Sequence, residues 1–185
     1  MANYLTVIHE CEDFAVWRKG YDADLPGRAA AGLSELYLVR DHANPNLIGI
    51  VFEASDVGRA KAMIASPELA TTMKAAGVIG TPKVRIRHGE LKQQLAANFA
   101  TITLTVREYA TGLRAYAMDA ADRQGAGLID LGVLQLEEDP NNLLLFWAVS
   151  DVPRATAFLD SPALADHMVE NAGVVGFPER HFWKA

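Results

Sequence analysis

The sequence predicts an α+β protein in which one β-α-β-β-α-β unit occurs twice. The stretch SDVGRAKAMIASPEL, which begins at Ser55, returns 95 residues later as SDVPRATAFLDSPAL from Ser150. The same shift pairs Tyr21 with Tyr116, and one inserted residue then brings AAGVIGTP onto NAGVVGFP. Self-similarity over such a length indicates a duplication, and a period of 95 residues is long enough for a whole folded unit rather than a solenoid repeat.

The first elements of each copy follow from local patterns. NYLTVIHEC and NFATITLTV are rich in β-branched and aromatic residues, which is typical of strands. DFAVWRKGYDADLPGR places Phe14, Trp17 and Tyr21 at helical spacing, and EYATGLRAYAMDAADR repeats that pattern. The turns HANPN and DPNN each join two apolar segments, and therefore predict two hairpins.

The second half of each copy completes the order. Ser55 and Ser150, each followed by Asp, are predicted as helix N-caps, and a further short helix is expected after each Ser-Pro pair, with proline in its first turn. PKVRIRH and PERHFW are the final strands. The resulting β-α-β-β-α-β order is the ferredoxin-like unit. We therefore expect one unit at residues 1–88, a linker at 89–97 and a second unit at 98–185.

The third strand of each copy predicts how the two sheets are covered. LIGIV and LLLFWAV are apolar on both faces, whereas an antiparallel sheet with one face in water alternates apolar and polar residues. Helices cover one face, so the sheet of the other copy is the expected cover for the second face. This arrangement would pack the two repeats sheet to sheet and complete a barrel within one chain, while leaving a further homodimer open.

The segments DFAVW, DHANPN, VFEASD and ASPELATTMKAAGVIGTP together resemble the dimeric α+β barrel superfamily, which includes the antibiotic biosynthesis monooxygenase-like small proteins. The resemblance covers nearly all of each copy. In that superfamily two separate ferredoxin-like chains pair their sheets, so the resemblance implies a tandem fusion with RHGELKQQLAAN as the crossing linker. Its members include oxygenases, haem-degrading enzymes, polyketide cyclases, isomerases and proteins with no established activity, so it does not select one reaction.

Composition and motif counts narrow the classes of function. A formal charge of −6 argues against nucleic-acid binding, which needs clustered cations. No apolar run approaches the roughly 18 residues of a membrane span, and no signal peptide is evident, so a cytoplasmic protein without a membrane partner is expected. Cys11 is the single cysteine, and the five histidines lack ligand spacing. Neither a metal nor a cofactor is therefore expected.

The candidate catalytic residues are His9 and His181. The resemblance implies a pocket between sheet and helices, and His9 shares its strand face with Leu5, Val7 and Cys11. A histidine on such an apolar face could transfer protons, with a pKa set by burial, or it could be a core residue bonded to backbone. The 95-residue shift aligns His9 with Leu104, and no other histidine aligns with a histidine in the other copy. If the protein is an enzyme, this predicts a single catalytic site.

Aromatic residues supply the candidate ligand contacts, although core packing explains their spacing equally well. These residues are Trp17, Tyr21, Tyr116, Trp147 and Trp183. Two hypotheses of function follow. The chain is either a cofactor-independent enzyme of oxygenase, cyclase or isomerase type that acts on a small hydrophobic or aromatic metabolite, or a non-catalytic binding or interaction module with a filled cavity.

Overall fold

The computed structural model describes residues 1–185, which form two compact units. Unit 1 comprises Met1–His88 together with Trp183–Ala185, and unit 2 comprises Gly89–Phe182. Each unit follows the predicted order, except that the first predicted helical region of each copy consists of two short helices. No helix has more than ten residues, and none is long and apolar enough to cross a membrane.

Unit 1 begins with a strand of ten residues and alternates strands with pairs of helices. Its elements are β1 (Ala2–Cys11), α1 (Phe14–Ala23), α2 (Leu25–Ala30), β2 (Leu33–Asp41), β3 (Leu47–Ala54), α3 (Val57–Ile64), α4 (Pro67–Ala75) and β4 (Val78–Leu91). The break between α1 and α2 lies at Asp24, and Pro26 lies in the first turn of α2, where the missing N–H leaves no intrahelical hydrogen bond unmade.

Unit 2 repeats this series of elements with closely similar lengths. Its elements are β5 (Asn98–Val106), α5 (Tyr109–Met118), α6 (Ala120–Gly125), β6 (Leu128–Leu136), β7 (Asn142–Val149), α7 (Val152–Leu159), α8 (Pro162–Glu170) and β8 (Val174–Lys184). Residues 89–91, which were predicted as the start of the linker, are the end of β4.

Within each unit the strands are hydrogen-bonded in an order that differs from their order in the chain. In unit 1, β3 lies between β1 and β2 and is antiparallel to both, and β7 lies in the same way between β5 and β6. The end of β8 pairs with β2 inside unit 1, where Trp183 is opposite Asp41. The predicted α+β class, with two ferredoxin-like units in tandem, is therefore confirmed.

The helix starts correct one detail of the sequence analysis. Asp56 and Asp151, and not Ser55 and Ser150, are the N-caps of α3 and α7, because each aspartate accepts a hydrogen bond from a backbone N–H in the first turn. The Ser55 hydroxyl donates instead to the Gly32 carbonyl, 3.0 Å away. The caps of the second short helices, each a serine followed by proline, occur as predicted.

Each unit has an apolar core of its own. The middle strands β3 and β7 are buried along almost their whole length on both faces, as their two-sided apolar sequences predict. One core contains buried residues of unit 1 only, among them Trp17 and Phe52, and the other contains residues of unit 2 only, among them Leu104 and Trp147. In both cores the helices pack on one face of the strands, and this layer contains the cavities.

Candidate functional site

A cavity of about 110 Å³ lies in unit 1 between the strands and the helix pairs. It is lined almost entirely by apolar side chains, with Leu5, Val7 and Ile50 from the sheet and Met63 and Leu69 from the helices. Three of the predicted site residues, His9, Trp17 and Tyr21, line this one cavity. The sequence pattern therefore grouped residues from β1 and α1 that the fold brings together.

His9 is the polar group in this cavity whose hydrogen bonding is incomplete. It comes from β1, where it pairs with Ile48 of β3, and only 7% of its surface is exposed. Neither ring nitrogen has a hydrogen-bond partner. Burial lowers the pKa of His9 from 6.5 to about 4, because an imidazolium is poorly solvated there. At neutral pH the ring is therefore uncharged and presents one N–H donor and one lone pair.

A row of rings extends from His9 along α1. The His9 ring centroid is 5.3 Å from that of Trp17, and Trp17 stacks on Tyr21 with a centroid distance of 4.7 Å. The Arg28 guanidinium lies over the other end of the row, 3.7 Å from the Tyr21 ring centroid. These residues meet because positions 17, 21 and 28 are separated by whole turns of the successive helices α1 and α2.

At the end of the row away from His9, the polar groups are hydrogen-bonded to other groups of unit 1. The Tyr21 hydroxyl donates to the Glu35 carboxylate, and the Arg28 guanidinium donates to the Tyr21 backbone carbonyl. Asp24 Oδ2 is 3.8 Å from Arg28 Nη1. Burial, reinforced by the hydrogen bond to Glu35, raises the pKa of Tyr21 well above its ordinary value, so this hydroxyl stays protonated.

Unit 2 contains a smaller cavity at the matching place, of about 50 Å³. Leu104 replaces His9, Gly112 replaces Trp17 and Trp147 replaces Phe52. A side chain at Gly112 has no room, because a Cβ atom there would lie 2.9 Å from Val106 Cγ1. Helix α5 therefore lies close to the strand, and the large ring that fills unit 2 comes from β7 instead of the helix.

The polar groups of unit 2 satisfy one another around Asp130. Its carboxylate accepts hydrogen bonds from the Tyr116 hydroxyl at 2.7 Å, from Trp147 Nε1 at 2.7 Å and from two nitrogens of Arg123 at 3.0 and 2.8 Å. Burial alone would raise the pKa of Asp130, but the hydrogen bonds from Arg123 and Tyr116 hold it below its ordinary value. The predicted residues Tyr116 and Trp147 thus belong to a complete hydrogen-bonded network.

The sequence analysis missed His167, which lines the unit 2 cavity from α8. Its Nε2 atom is 3.2 Å from Asp119 Oδ2 and 3.4 Å from the Ala115 carbonyl oxygen, and its Nδ1 atom is 3.1 Å from Asn171 Nδ2. Leu164, His167 and Met168 share the inward face of one helix, and this spacing is the signal that could have revealed His167. Unlike His9, its ring has partners on both nitrogens.

The other two predicted site residues, His181 and Trp183, lie on β8 outside the linings of both cavities. His181 Nε2 is 3.2 Å from Glu179 Oε1. Trp183 is buried, and its ring packs closely on Gly49. A Cβ atom added at Gly49 would lie 3.2 Å from the Trp183 ring. The structure therefore does not bring His181 and Trp183 into the group around His9.

No cluster of three or more His, Cys, Asp or Glu side chains could hold a metal ion. The donor groups of unit 1 are separated instead: His9 lies among apolar residues, and the carboxylates of Asp24 and Glu35 interact with Arg28 and Tyr21, respectively. What this arrangement can do chemically is bind a mostly apolar molecule and exchange one hydrogen bond or one proton with it.

Comparisons with known proteins give the fold and leave the function open. No family model and no curated protein matches the chain. Similar solved structures include an anthrone oxidase-like protein at 9% identity, with a TM-score of 0.63 over 99% of this chain and 90% of the other. A candidate monooxygenase from Fusobacterium nucleatum has 12% identity and a TM-score of 0.60, covering 99% of this chain and 92% of the other.

A third similar structure is described as a regulator and not as an enzyme. It is a major regulator of staphylococcal pathogenesis, with 11% identity, a TM-score of 0.54 and coverage of 98% of both chains. At such low identity these likenesses show a shared fold alone. The resemblance to the dimeric α+β barrel proteins is thus confirmed at the level of the fold, while the names of the neighbours range from oxidase-like to regulatory.

Proposed function

We propose that the chain binds a small, mostly apolar molecule in the unit 1 cavity and that a hydrogen bond to His9 selects it. The single observation that carries this proposal is that His9 is 7% exposed and lacks a hydrogen-bond partner on either nitrogen. An unsatisfied buried polar group costs about 1–3 kcal/mol, and native proteins seldom retain one without a reason. A ligand hydroxyl or carbonyl group would supply the missing partner.

The dimensions of the cavity support a ligand with one small ring. An apolar cavity of about 150 Å³ accepts benzene in another protein, and the volume around His9 is about 110 Å³. This lies below the roughly 300 Å³ from which sites for drug-sized ligands begin, so a multi-ring compound is not favoured. The neutral state of His9 and its apolar neighbours favour an uncharged ligand, because an anion would lose its hydration without finding a cation beside the imidazole.

Phenol and toluene test this proposal, since the two molecules share a ring and differ in the hydroxyl group. We expect phenol to bind the full chain more tightly than toluene, as followed by the indole signals of Trp17, which lines the cavity, in NMR titrations. The His9→Leu variant, which installs the residue of unit 2, should weaken phenol binding about tenfold through loss of one buried hydrogen bond. Toluene binding should remain within about threefold of wild type.

The matched control is His181→Leu, because His181 lies outside both cavities. This variant should bind phenol like the wild type. Equal affinity of the wild type for phenol and toluene would contradict selection by His9, and absence of binding by both would contradict a ligand site in unit 1.

Proton transfer by His9 is the second candidate function, and the neutral imidazole with a free lone pair is the observation that favours it. A base with a pKa of about 4 is weak toward water, so catalysis would need a substrate proton that becomes more acidic in the cavity. A cofactor-independent enzyme of this kind should lose turnover in His9→Gln while it still binds phenol, because glutamine can hydrogen-bond but cannot take up the proton.

A further inference from the structure

We propose that ligands reach His9 through the seam between α1 and α4, and that the side chain at position 72 decides whether this seam is open. This inference rests on the proposed function for its biological meaning, since it describes access to the same cavity. It adds the route of entry and the residues that control it.

The seam is where the unit 1 cavity and the outer surface share their walls. An open groove runs along the outer side of α1 and α4 and has a volume of about 480 Å³. Four residues line both this groove and the cavity: Gly20, Asp24, Thr72 and Ala76. A layer one residue thick therefore separates the cavity from the surface at this place.

The seam is built from small side chains that do not bond to one another. Gly20 lies inside α1, where glycine costs about 1 kcal/mol relative to alanine. A Cβ atom at Gly20 would lie 3.0 Å from Ala76 Cβ, so the seam would tighten with any larger residue. The Thr72 hydroxyl makes no hydrogen bond across the seam, and the Asp24 carboxylate interacts with Arg28 only, at 3.8 Å.

Unit 2 shows the same seam in a closed form. Ala115 stands in the place of Gly20, Asp119 in the place of Asp24 and His167 in the place of Thr72. The His167 ring spans from α8 to α5, because its Nε2 atom lies 3.2 Å from Asp119 Oδ2 and 3.4 Å from the Ala115 carbonyl oxygen. The imidazole thus bridges α8 and α5 at the place where the shorter threonine of unit 1 makes no such bridge, and the cavity behind it has less than half the volume.

An exchange of the residues at positions 72 and 167 should therefore exchange the accessibility of the two cavities. The probe is the rate at which methyl methanethiosulfonate, a small neutral reagent, labels a cysteine placed in either cavity. Val7→Cys reports on unit 1 and Ile102→Cys reports on unit 2, because these residues line the two cavities at matching positions. Both reporters are made with Cys11→Ala, which removes the only natural thiol.

We expect Val7→Cys to react about tenfold faster than Ile102→Cys in the full chain at neutral pH. Thr72→His should slow the labelling of Val7→Cys about tenfold, and His167→Thr should accelerate the labelling of Ile102→Cys by a similar factor. The matched control is Lys74→His, which puts the same side chain on the same helix but away from the seam, and it should leave the rate unchanged.

Asp24→Asn added to Thr72→His distinguishes a closed seam from a disturbed fold. Without the carboxylate the new histidine loses its charged partner, so part of the labelling rate should return, whereas a misfolded chain would label faster than wild type throughout. An unchanged rate in Thr72→His, or equal slowing in Lys74→His, would overturn the proposal. Because labelling needs no natural ligand, a failure of phenol to bind would count against the proposed function alone.

Discussion

Unit 1 and unit 2 share their order of elements but fill their cavities with different side chains. At three matching positions unit 1 has His9, Trp17 and Phe52, whereas unit 2 has leucine, glycine and Trp147. The largest ring has thus moved from the helix to the strand. A tryptophan on β7 can donate its indole N–H to Asp130, whereas Trp17 on α1 lies between the rings of His9 and Tyr21.

The two units therefore differ in how completely their buried polar groups are satisfied. In unit 2, Asp130 joins Tyr116, Arg123 and Trp147 in one network, while in unit 1 His9 is left without a partner. A complete network contributes stability and specificity of packing. An unsatisfied group in an open cavity contributes a place for a ligand. The two copies of the repeat thus differ in the satisfaction of their buried polar groups, and the proposed ligand site rests on this difference.

The largest expected effect concerns the polar networks. Asp130→Ala should lower the free energy of unfolding by about 3 kcal/mol, because the buried Arg123 guanidinium loses its charged partner and the Tyr116 hydroxyl and Trp147 Nε1 lose their carboxylate acceptor. Glu35→Ala, the matched change in unit 1, should cost about 1 kcal/mol, since it removes one hydrogen bond from an exposed carboxylate. Urea unfolding of both variants measures the difference, and equal losses would contradict the contrast between the units.

The second prediction concerns the pH dependence of stability, to which His9 should contribute and the matching Leu104 of unit 2 should not. Its pKa is about 4 in the folded chain and 6.5 as an ordinary side chain, so between these values the unfolded state binds more protons. The contribution of His9 to the free energy of unfolding therefore has its full value above pH 6.5 and decreases as the pH falls toward 4. From pH 7 to pH 5 the loss is about 2 kcal/mol.

His9→Leu serves as the control for this prediction, because the variant lacks the titrating group and keeps all the others. Urea unfolding at pH 7 and pH 5 should show a fall in stability that is about 2 kcal/mol smaller in His9→Leu than in the wild type. Identical pH profiles of the two proteins would mean that His9 is solvated and free to protonate in the folded chain.

The smallest expected effect concerns the close approach of α5 to its strand. Gly112→Ala should destabilise the chain by about 1 kcal/mol, although alanine is the better helix former, because the new Cβ atom would lie 2.9 Å from Val106. Gly125→Ala, at the end of α6, is a control without a neighbour within 4 Å of the new atom. Thermal unfolding measures both, and a stabilised Gly112→Ala would show that α5 can move away from the sheet.

The repeat and its strands and helices were predictable because local patterns determine them. Apolar spacing along a strand or helix depends only on neighbouring residues, so β1, α1 and the two hairpins were found in their correct order. The N-caps were misplaced by one residue because serine and aspartate are both good caps. The choice of Asp56 over Ser55 follows from the tertiary contact between the Ser55 hydroxyl and the Gly32 carbonyl.

The candidate site was predictable only in part. His9, Trp17 and Tyr21 share one cavity because two elements adjacent in sequence contribute them, and each element has a regular inward face. His167 was missed because its partners, Asp119 and Ala115, come from helices about fifty residues earlier in the chain, and no local pattern joins them. His181 and Trp183 are alternate residues of β8 and so share one of its faces, but the sequence did not indicate which face of β8 borders a cavity.

Residue type and spacing are enough to specify the duplicated ferredoxin-like plan, the buried middle strands and the lack of a histidine at the position in unit 2 that matches His9. They do not specify which buried polar groups have hydrogen-bond partners. Hydrogen bonding depends on distances of about 3 Å between atoms far apart in the chain, and a shift of one side chain from helix to strand changes them. That is why two units with one pattern hold a satisfied network around Asp130 and an unpartnered imidazole at His9.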